Sequence, residues 1–460
     1  MTLRRLMVIS AAILSLSGCG GGDGSGGDTG SSAPPTPAFT PAPSPTPSPS
    51  PTISAVSFSP MLARIYFYPR GFLAPESAFV VFSDRQGQYP SSSPLSSKVE
   101  GTVRADYAGF EKSSYGVDPS TNILYGFRSP ANATVISPIT HMLAMRNDQA
   151  ALKDQLGLTV GTATGFAVDR NLETFNPVSA LASADANTRA DGERLLARHL
   201  RLSAMACAAS HLVGAVSQVR FIDCDFDAVA AHLANHPRAN ALNEASIAAL
   251  LASKAKDRVL PAAVMSATSR IVALYLSMIP DRVSTREDLV RYQLAAAGYL
   301  VPLVSQISGD LSGDAATLAN AVTLDGMRAA TARYGEALTY PADVRYYPAP
   351  DFYQLARGGT FVVRAAYAGG SNGSDGPFTY NDAHLEGADG FYFLPRGVQT
   401  LVSVEVPAAN VGEISAVLNA DGSVTMAAVG AFTGVTYFDY VTRHEKGDTA
   451  RGRVYVSVGQ

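Results

Sequence analysis

Apolar positions change their spacing twice along this chain, dividing it into stretches of different backbone grammar. Between Ile53 and Thr134 they come in short aromatic and β-branched runs, Arg64-Ile-Tyr-Phe-Tyr68 and Ala78-Phe-Val-Val-Phe-Ser83, which predict strands, and Asp84 to Gly87 supplies turn chemistry after the second. Val99 to Tyr107 adds an alternating run, while Ser91 to Ser97 reads as a polar loop. At Ser137 the spacing becomes helical. Ser137 caps a helix with Pro138 at its first position, where the missing N–H costs nothing, and the pattern runs to about Met145. A second helix starts after Asn147 or Asp148 and stops at Gly157, the expected left-handed end. Leu195, Leu202, Met205, Ala209, Leu212 and Val216 share one face of a long helix. Further helices are predicted over Ala245 to Ala255, between Pro261 and Pro280, over Leu289 to Ile307 behind a capping box of Ser284 and Glu287, and within Asp314 to Arg333. From about Pro341 alternation returns. Thr360 to Arg364, Gly390 to Leu394, Thr400 to Val406, Ser423 to Val429, Thr436 to Thr442 and Arg453 to Val458 predict a β-sandwich.

The N-terminal residues follow neither grammar. Leu6 to Leu16, behind Arg4 and Arg5, is apolar but shorter than the roughly 20 residues a spanning helix needs, so it reads as a secretory signal. Gly20 to Thr52 is Gly, Ser, Thr and Pro with almost nothing to bury, which predicts a disordered tether: a flexible coil to Ser32, then a proline-dense stretch leaning to polyproline II. The chain therefore divides into a signal peptide (1–18), a tether (19–56), a small β-module (57–135), an α-helical domain (136–340) and a β-sandwich domain (341–460). Leu16-Ser-Gly-Cys19 at the end of the apolar run resembles the lipobox of bacterial lipoproteins. That resemblance implies that Cys19 becomes the acylated first residue of the mature chain, a membrane anchor. Gly20, where an aspartate is absent, implies the outer membrane ahead of the inner one.

Composition removes some functions. A formal net charge of -4 leaves no basic face to release counterions, so no nucleic-acid partner is expected. Of the 3 cysteines, Cys207 and Cys224 remain beside Cys19, in an oxidising compartment; they form a disulfide, or with His211 and His232 or His236 they hold zinc. Their spacing is not a Cys-x-x-Cys knuckle, which favours the disulfide. Gly369-Gly-Ser371-Asn-Gly373 fits the nucleophile-elbow pattern, yet a strand-type run follows where that motif needs a helix, so it reads as a glycine-rich loop. Asp223-Cys-Asp-Phe-Asp227 imitates the start of a calcium loop but has Ala228 and Ala234 at the two places that need Gly and Glu; its acids instead cap the helix over Ala228 to Leu233. Asp375, Asp382, Glu386 and Asp389, with Asn372 and Asn381, are weak candidates for a hard cation, since solvated turns use the same residues. His232 and His236, one turn apart, read as surface residues near a helix end, His199 and His211 as partly buried, and His141 as a suggestive histidine with no identified partner. The 20 tyrosines include Tyr66, Tyr68, Tyr346, Tyr347 and Tyr353 near domain edges, which suit either a contact surface or strand-face packing.

Two stretches carry a further resemblance. Gly116 to Thr140, with its Ala-Thr-Val-Ile-Ser-Pro-Ile-Thr ending, resembles the junction in bacterial surface proteins and adhesins where a small β-module runs into helices; Asn176-Pro-Val-Ser-Ala-Leu to Ala186 resembles the phrase that opens the next helices. Asp421 to Thr425, Gly434 to Tyr440 and Gly452 to Val458 are similar to bacterial cadherin-like and immunoglobulin-like repeats. The resemblance implies a multidomain α+β protein: a small β-module, an all-α helical bundle and a C-terminal immunoglobulin-like sandwich. The expected role is a lipid-anchored envelope protein without cofactor that binds, adheres to or scaffolds a protein or glycan partner. The competing expectations are an envelope hydrolase with a site between the helices and the sandwich, and an accessory lipoprotein of an export or assembly machine.

Overall fold

The strand-type runs of the first stretch give β1 (Ile53–Val56), β2 (Arg64–Tyr68), β3 (Phe79–Phe82), β4 (Gln88–Pro90), β5 (Glu111–Asp118), β6 (Ile123–Ser129) and β7 (Val135–Ile136) in a computed structural model of the chain. The described residues are these strands and Pro130, then 133–459 except 147, 160–165, 168, 213–217, 220–221, 237–239, 256–259, 310–313, 336–345, 366–382, 386–390, 393–398, 446 and 448. Helices follow: α1 (Pro138–Arg146), α2 (Gln149–Gln155), α3 (Pro177–Ala180) and α4 (Ala186–Ser210). After two short strands, β8 (Gln218–Val219) and β9 (Ile222–Asp223), come α5 (Phe226–Asn235), α6 (Glu244–Lys254), α7 (Ala262–Met278), α8 (Arg286–Ala295), a π-turn (Ala296–Leu300), α9 (Val301–Gly309), α10 (Ala315–Ala321) and α11 (Leu324–Ala332). The last stretch holds β10 (Tyr346–Tyr347), β11 (Asp351–Leu355), β12 (Thr360–Val363), β13 (Ala383–Leu385), β14 (Phe391–Tyr392), β15 (Gln399–Glu405), β16 (Ile414–Leu418), β17 (Val424–Ala428), β18 (Gly434–His444) and β19 (Thr449–Val458).

Local chemistry explains most helix ends. Ser137 Oγ accepts the Thr140 N–H at 3.2 Å while Thr140 Oγ1 accepts the Ser137 N–H at 2.8 Å, a reciprocal cap that starts α1. Asp148 accepts from Ala151 N–H at 3.0 Å to start α2, and Gly157 after it has φ +65°. One cap differs from expectation. Thr285, not Ser284, caps α8, accepting the Asp288 N–H at 3.0 Å; the two overlapping Ser/Thr-x-x-acid frames differ by one residue, and the extended backbone at Thr285 selects the second.

Helix α4 is the axis of the helical layer. Besides the expected Leu195, Leu202, Met205 and Ala209, it buries Leu196, Ala197, Leu200, Ala204 and Cys207, so its apolar surface wraps the helix instead of forming one stripe. Leu212 is buried just past its end, and Val216 lies outside the described residues. Two of its buried polar residues have identified partners. Asp191 accepts from Arg170 Nε and Nη2 at 3.1 and 2.8 Å, and Arg198 donates to the Leu156 carbonyl at 2.8 Å.

The C-terminal stretch builds two facing sheets, ordered β15-β18-β19-β11-β8 and β12-β17-β16. Alternation along β19 decides what each face covers. Val454, Val456 and Val458 join Phe438, Tyr440, Val424 and Met426 in a core between the sheets, whereas Tyr455, Phe352 and Val435 join the helical core. The larger sheet is thus covered on both sides, making three layers of helices, sheet and sheet. Arg333, at the end of α11, fastens the first two: its Nε donates to the Val435 carbonyl at 3.1 Å and its Nη2 to Asn410 Oδ1 at 3.0 Å.

The helical stretch is not all α. Between α4 and α5, β8 pairs antiparallel with β11 as an edge of the C-terminal sheet, and β9 pairs parallel with β6 as an edge of the N-terminal sheet β3-β2-β5-β6-β9. Two-residue strands show no sequence periodicity, which is why the pattern missed them. The Cys207–Cys224 disulfide, 17 residues apart in sequence, ties the end of this connector back to α4, and the adjacent Asp225 N–H donates to the Ala206 carbonyl at 3.0 Å. Replacing both cysteines with alanine is expected to lower unfolding free energy by about 3 kcal/mol, the chain-entropy value for a loop of this size. Urea denaturation of the oxidised and double-alanine chains measures it, and hydrogen exchange should rise first in β6 and β11.

Candidate functional site

The residues singled out by sequence do not converge. Cys19, Ser371, Asp375, Asp382, Glu386 and Asp389 lie outside the described residues, as do the Val99 to Tyr107 run and the Asp84 to Gly87 turn. Cys207 and Cys224 are spent on each other, which removes the zinc alternative they belonged to. Among the described residues no group of three or more His, Cys, Asp or Glu side chains is placed to hold a metal ion.

The acidic run 223–227 caps α5. Asp225 accepts the Ala228 N–H at 2.8 Å and pairs with Lys254, while Asp227 faces His141. His141 accordingly has partners that its sequence neighbours did not reveal. Its Nδ1 accepts the Arg128 N–H at 2.9 Å, which puts the ring proton on Nε2, 3.2 Å from Asp227 Oδ1. The His141 ring holds the Asp227 carboxyl below the usual range. Phe127 and Phe226 pack edge-on against the buried ring. With its free lone pair already taken by a backbone N–H, His141 is no proton acceptor for a substrate; it locks β6, α1 and α5 together.

His232 corrects a second expectation. It is buried instead of at the surface, stacked on His236 at 4.4 Å with Nε2 2.9 Å from Ser246 Oγ, because α6 packs over the end of α5. Burial, with the His236 charge behind it, lowers its pKa. Of these two, His236 is exposed. His199 is likewise more enclosed than a partly buried helix face, at 1% exposure. Tyr353 packs inside the sandwich core, which settles its role as strand packing over contact surface.

A groove of about 670 Å³ lies where α9 and α10 meet the rim of the larger C-terminal sheet. Its helical wall includes Tyr299, Leu303 and Leu318, and its sheet wall Leu355, Val458 and Arg357. The sequence reason for it is the π-turn. In an unbroken α-helix the ring of Pro302 would strike the carbonyl of Gly298 four residues back; here the Val301 N–H bonds to the Ala296 carbonyl, five residues back, and the helix widens by one residue. This turn lays Gly298 against the rings of Phe352 and Tyr334 and brings the next residue, Tyr299, to the groove wall. Burial raises the Tyr299 pKa, so its hydroxyl stays a proton donor at neutral pH. The sequence signal was Gly298 and Pro302 four apart inside a helical pattern, a pairing that marks a kink.

Among the described residues lining the groove there is no carboxylate, imidazole, amine or thiol. Thr317 and Ser457 have hydroxyls but no base to activate them. The volume falls in the roughly 300–1,000 Å³ range of small-molecule sites, and leucine, valine and proline side chains share the wall with tyrosine, glutamine, hydroxyl and arginine groups. Such a wall can hold a ligand. No family model, curated protein or solved structure matches the chain.

Proposed function

We propose that this chain is a bacterial lipoprotein of the cell envelope, held through Cys19 in the outer membrane, with a non-catalytic binding or scaffolding role. The observation that carries the anchor is Leu16-Ser-Gly-Cys19 between an apolar run and a Gly/Ser/Pro tether, for which a membrane attachment is the simplest use. Among the described residues no helix is long and apolar enough to cross a membrane, so the lipid supplies the attachment. A binding role is supported by a groove whose described lining residues include no carboxylate, imidazole, amine or thiol. The reading of an envelope hydrolase between helices and sandwich would have to use Tyr299, Thr317 or Ser457 there, without a base among the described lining residues.

The C-terminal sandwich is proposed to be immunoglobulin-like. With β11, β12, β15, β16, β17, β18 and β19 taken as A to G, the sheets read C-F-G-A and B-E-D, and the first strand runs parallel to the last. The chain has no Trp for the usual central plug; Tyr440 instead lies across Gly452, where an added Cβ would collide with its ring. In this reading the adhesin-like junction at Gly116 to Thr140 and the sandwich present a spacer and a partner surface beyond the tether.

Cys19→Ser is the test. The native chain is expected in the membrane pellet and to incorporate labelled palmitate, and the variant to take no label and to keep residues 1–18, since the cysteine is also where the signal is cut. A native chain that takes no label would remove the lipid.

A further inference from the structure

We infer that the groove between α9, α10 and the sheet rim takes a single-chain anionic amphiphile, an acyl chain with a free carboxylate head. The inference rests on reading the groove as a binding site and adds the class of ligand.

Three features of the groove converge on that class. Leu303, Leu318, Val322, Leu355 and Val458 supply an apolar floor suited to an alkyl chain. The full charge among the described lining residues is one cation, Arg357, exposed on the turn between β11 and β12, with no lining carboxylate to neutralise it. An arginine fork recognises a carboxylate bidentately. Tyr299 and the amides of Gln306 and Gln354 add donors on either side of the seam, so the polar part of the groove offers hydrogen bonds to an anion. The volume of about 670 Å³ suits one chain, not the two of a bilayer phospholipid, which commits the groove to a free acid over a membrane surface.

The closing experiment uses the mature chain without its lipid, residues 20–460 produced without the signal, so that neither acyl group nor signal segment can compete. Titration calorimetry with dodecanoate below its micelle concentration is expected to give saturable binding at one equivalent. Dodecanol should bind about tenfold more weakly, as should dodecanoate to Arg357→Gln, from loss of a charge-assisted bond. Ala321→Trp, at an exposed position on the groove wall where bulk does not disturb the core, should abolish binding at an unchanged melting temperature. Absence of saturable binding, equal binding of dodecanoate and dodecanol, or wild-type binding by Ala321→Trp would each overturn the inference. So would Arg357-dependent sedimentation with phosphatidylglycerol vesicles without dodecanoate binding, which would make the cation a headgroup contact. Acylation of Cys19 is measured separately, so a failed groove and a failed anchor are told apart.

Discussion

Gly298→Val is expected to destabilise the protein by about 3 kcal/mol or more, from overpacking at a site that cannot relax. A Cβ at this position overlaps Phe352 Cδ1 and comes within 2.8 Å of Phe352 Cε1 and of Tyr334 Cε1. Neither ring has room to retreat. Phe352 is 3% exposed and stacks on Tyr455 at 5.9 Å, and Tyr334 is 2% exposed and lies 4.8 Å from the same ring. Tyr455 is itself fixed, donating its hydroxyl to the Gly335 carbonyl and accepting the Gly335 N–H at 3.1 Å. The gain in helix propensity on leaving glycine, about 1 kcal/mol at most, works in the other direction and is smaller. Gly298→Ala should show the same sign at about half the size, and Phe352→Leu added to it should recover part of the loss, as coupled neighbours do. Urea unfolding of the four chains gives the cycle. Strict additivity of Gly298→Ala and Phe352→Leu would mean that the helices and the sheet do not meet at this glycine.

Acid should unfold the protein through His199. This ring is completely enclosed within the helical core, and desolvation pushes its pKa down from 6.5 to about 3. The unfolded chain therefore binds a proton near pH 6.5 that the folded chain refuses until about pH 3. Stability is complete above pH 6.5 and falls as the pH drops toward 3, by about 1.4 kcal/mol for each unit, on the order of 5 kcal/mol in all. Between pH 6.5 and 5 most carboxylates have not begun to protonate in the unfolded chain, so the slope there belongs to histidine; His232, also lowered by burial, adds in the same direction. His199→Leu should flatten the dependence of the urea midpoint between pH 7 and 5 while keeping the protein folded at pH 7. An unchanged slope in that variant would place the acid sensitivity elsewhere.

The helices were legible because their ends carry local chemistry. Ser137-Pro138 and Asp148 with Gly157 each satisfy or terminate a helix with residues next to it in sequence, so no tertiary information is needed. Strands with alternating or β-branched runs, such as β2, β12 and β19, were legible for the same reason. The sequence pattern did not reveal β11 and β16, which are five-residue strands in mixed surroundings, or β8 and β9, whose partners lie far along the chain. Those short strands decide how the layers join. The partners of His141 were invisible because Arg128 and Asp227 stand 13 and 86 residues away on other elements. The groove escaped because its walls come from α9, α10, β11 and β19 together, and only the Gly298 and Pro302 spacing hinted at it.

The anchor is the part of the account on which location and role depend, and it is open to one direct measurement. Mass spectrometry of the N-terminal peptide from native membranes should find Cys19 as the first residue and carrying fatty acyl chains. A peptide that continues upstream of residue 19, or a free thiol at that position, would contradict it.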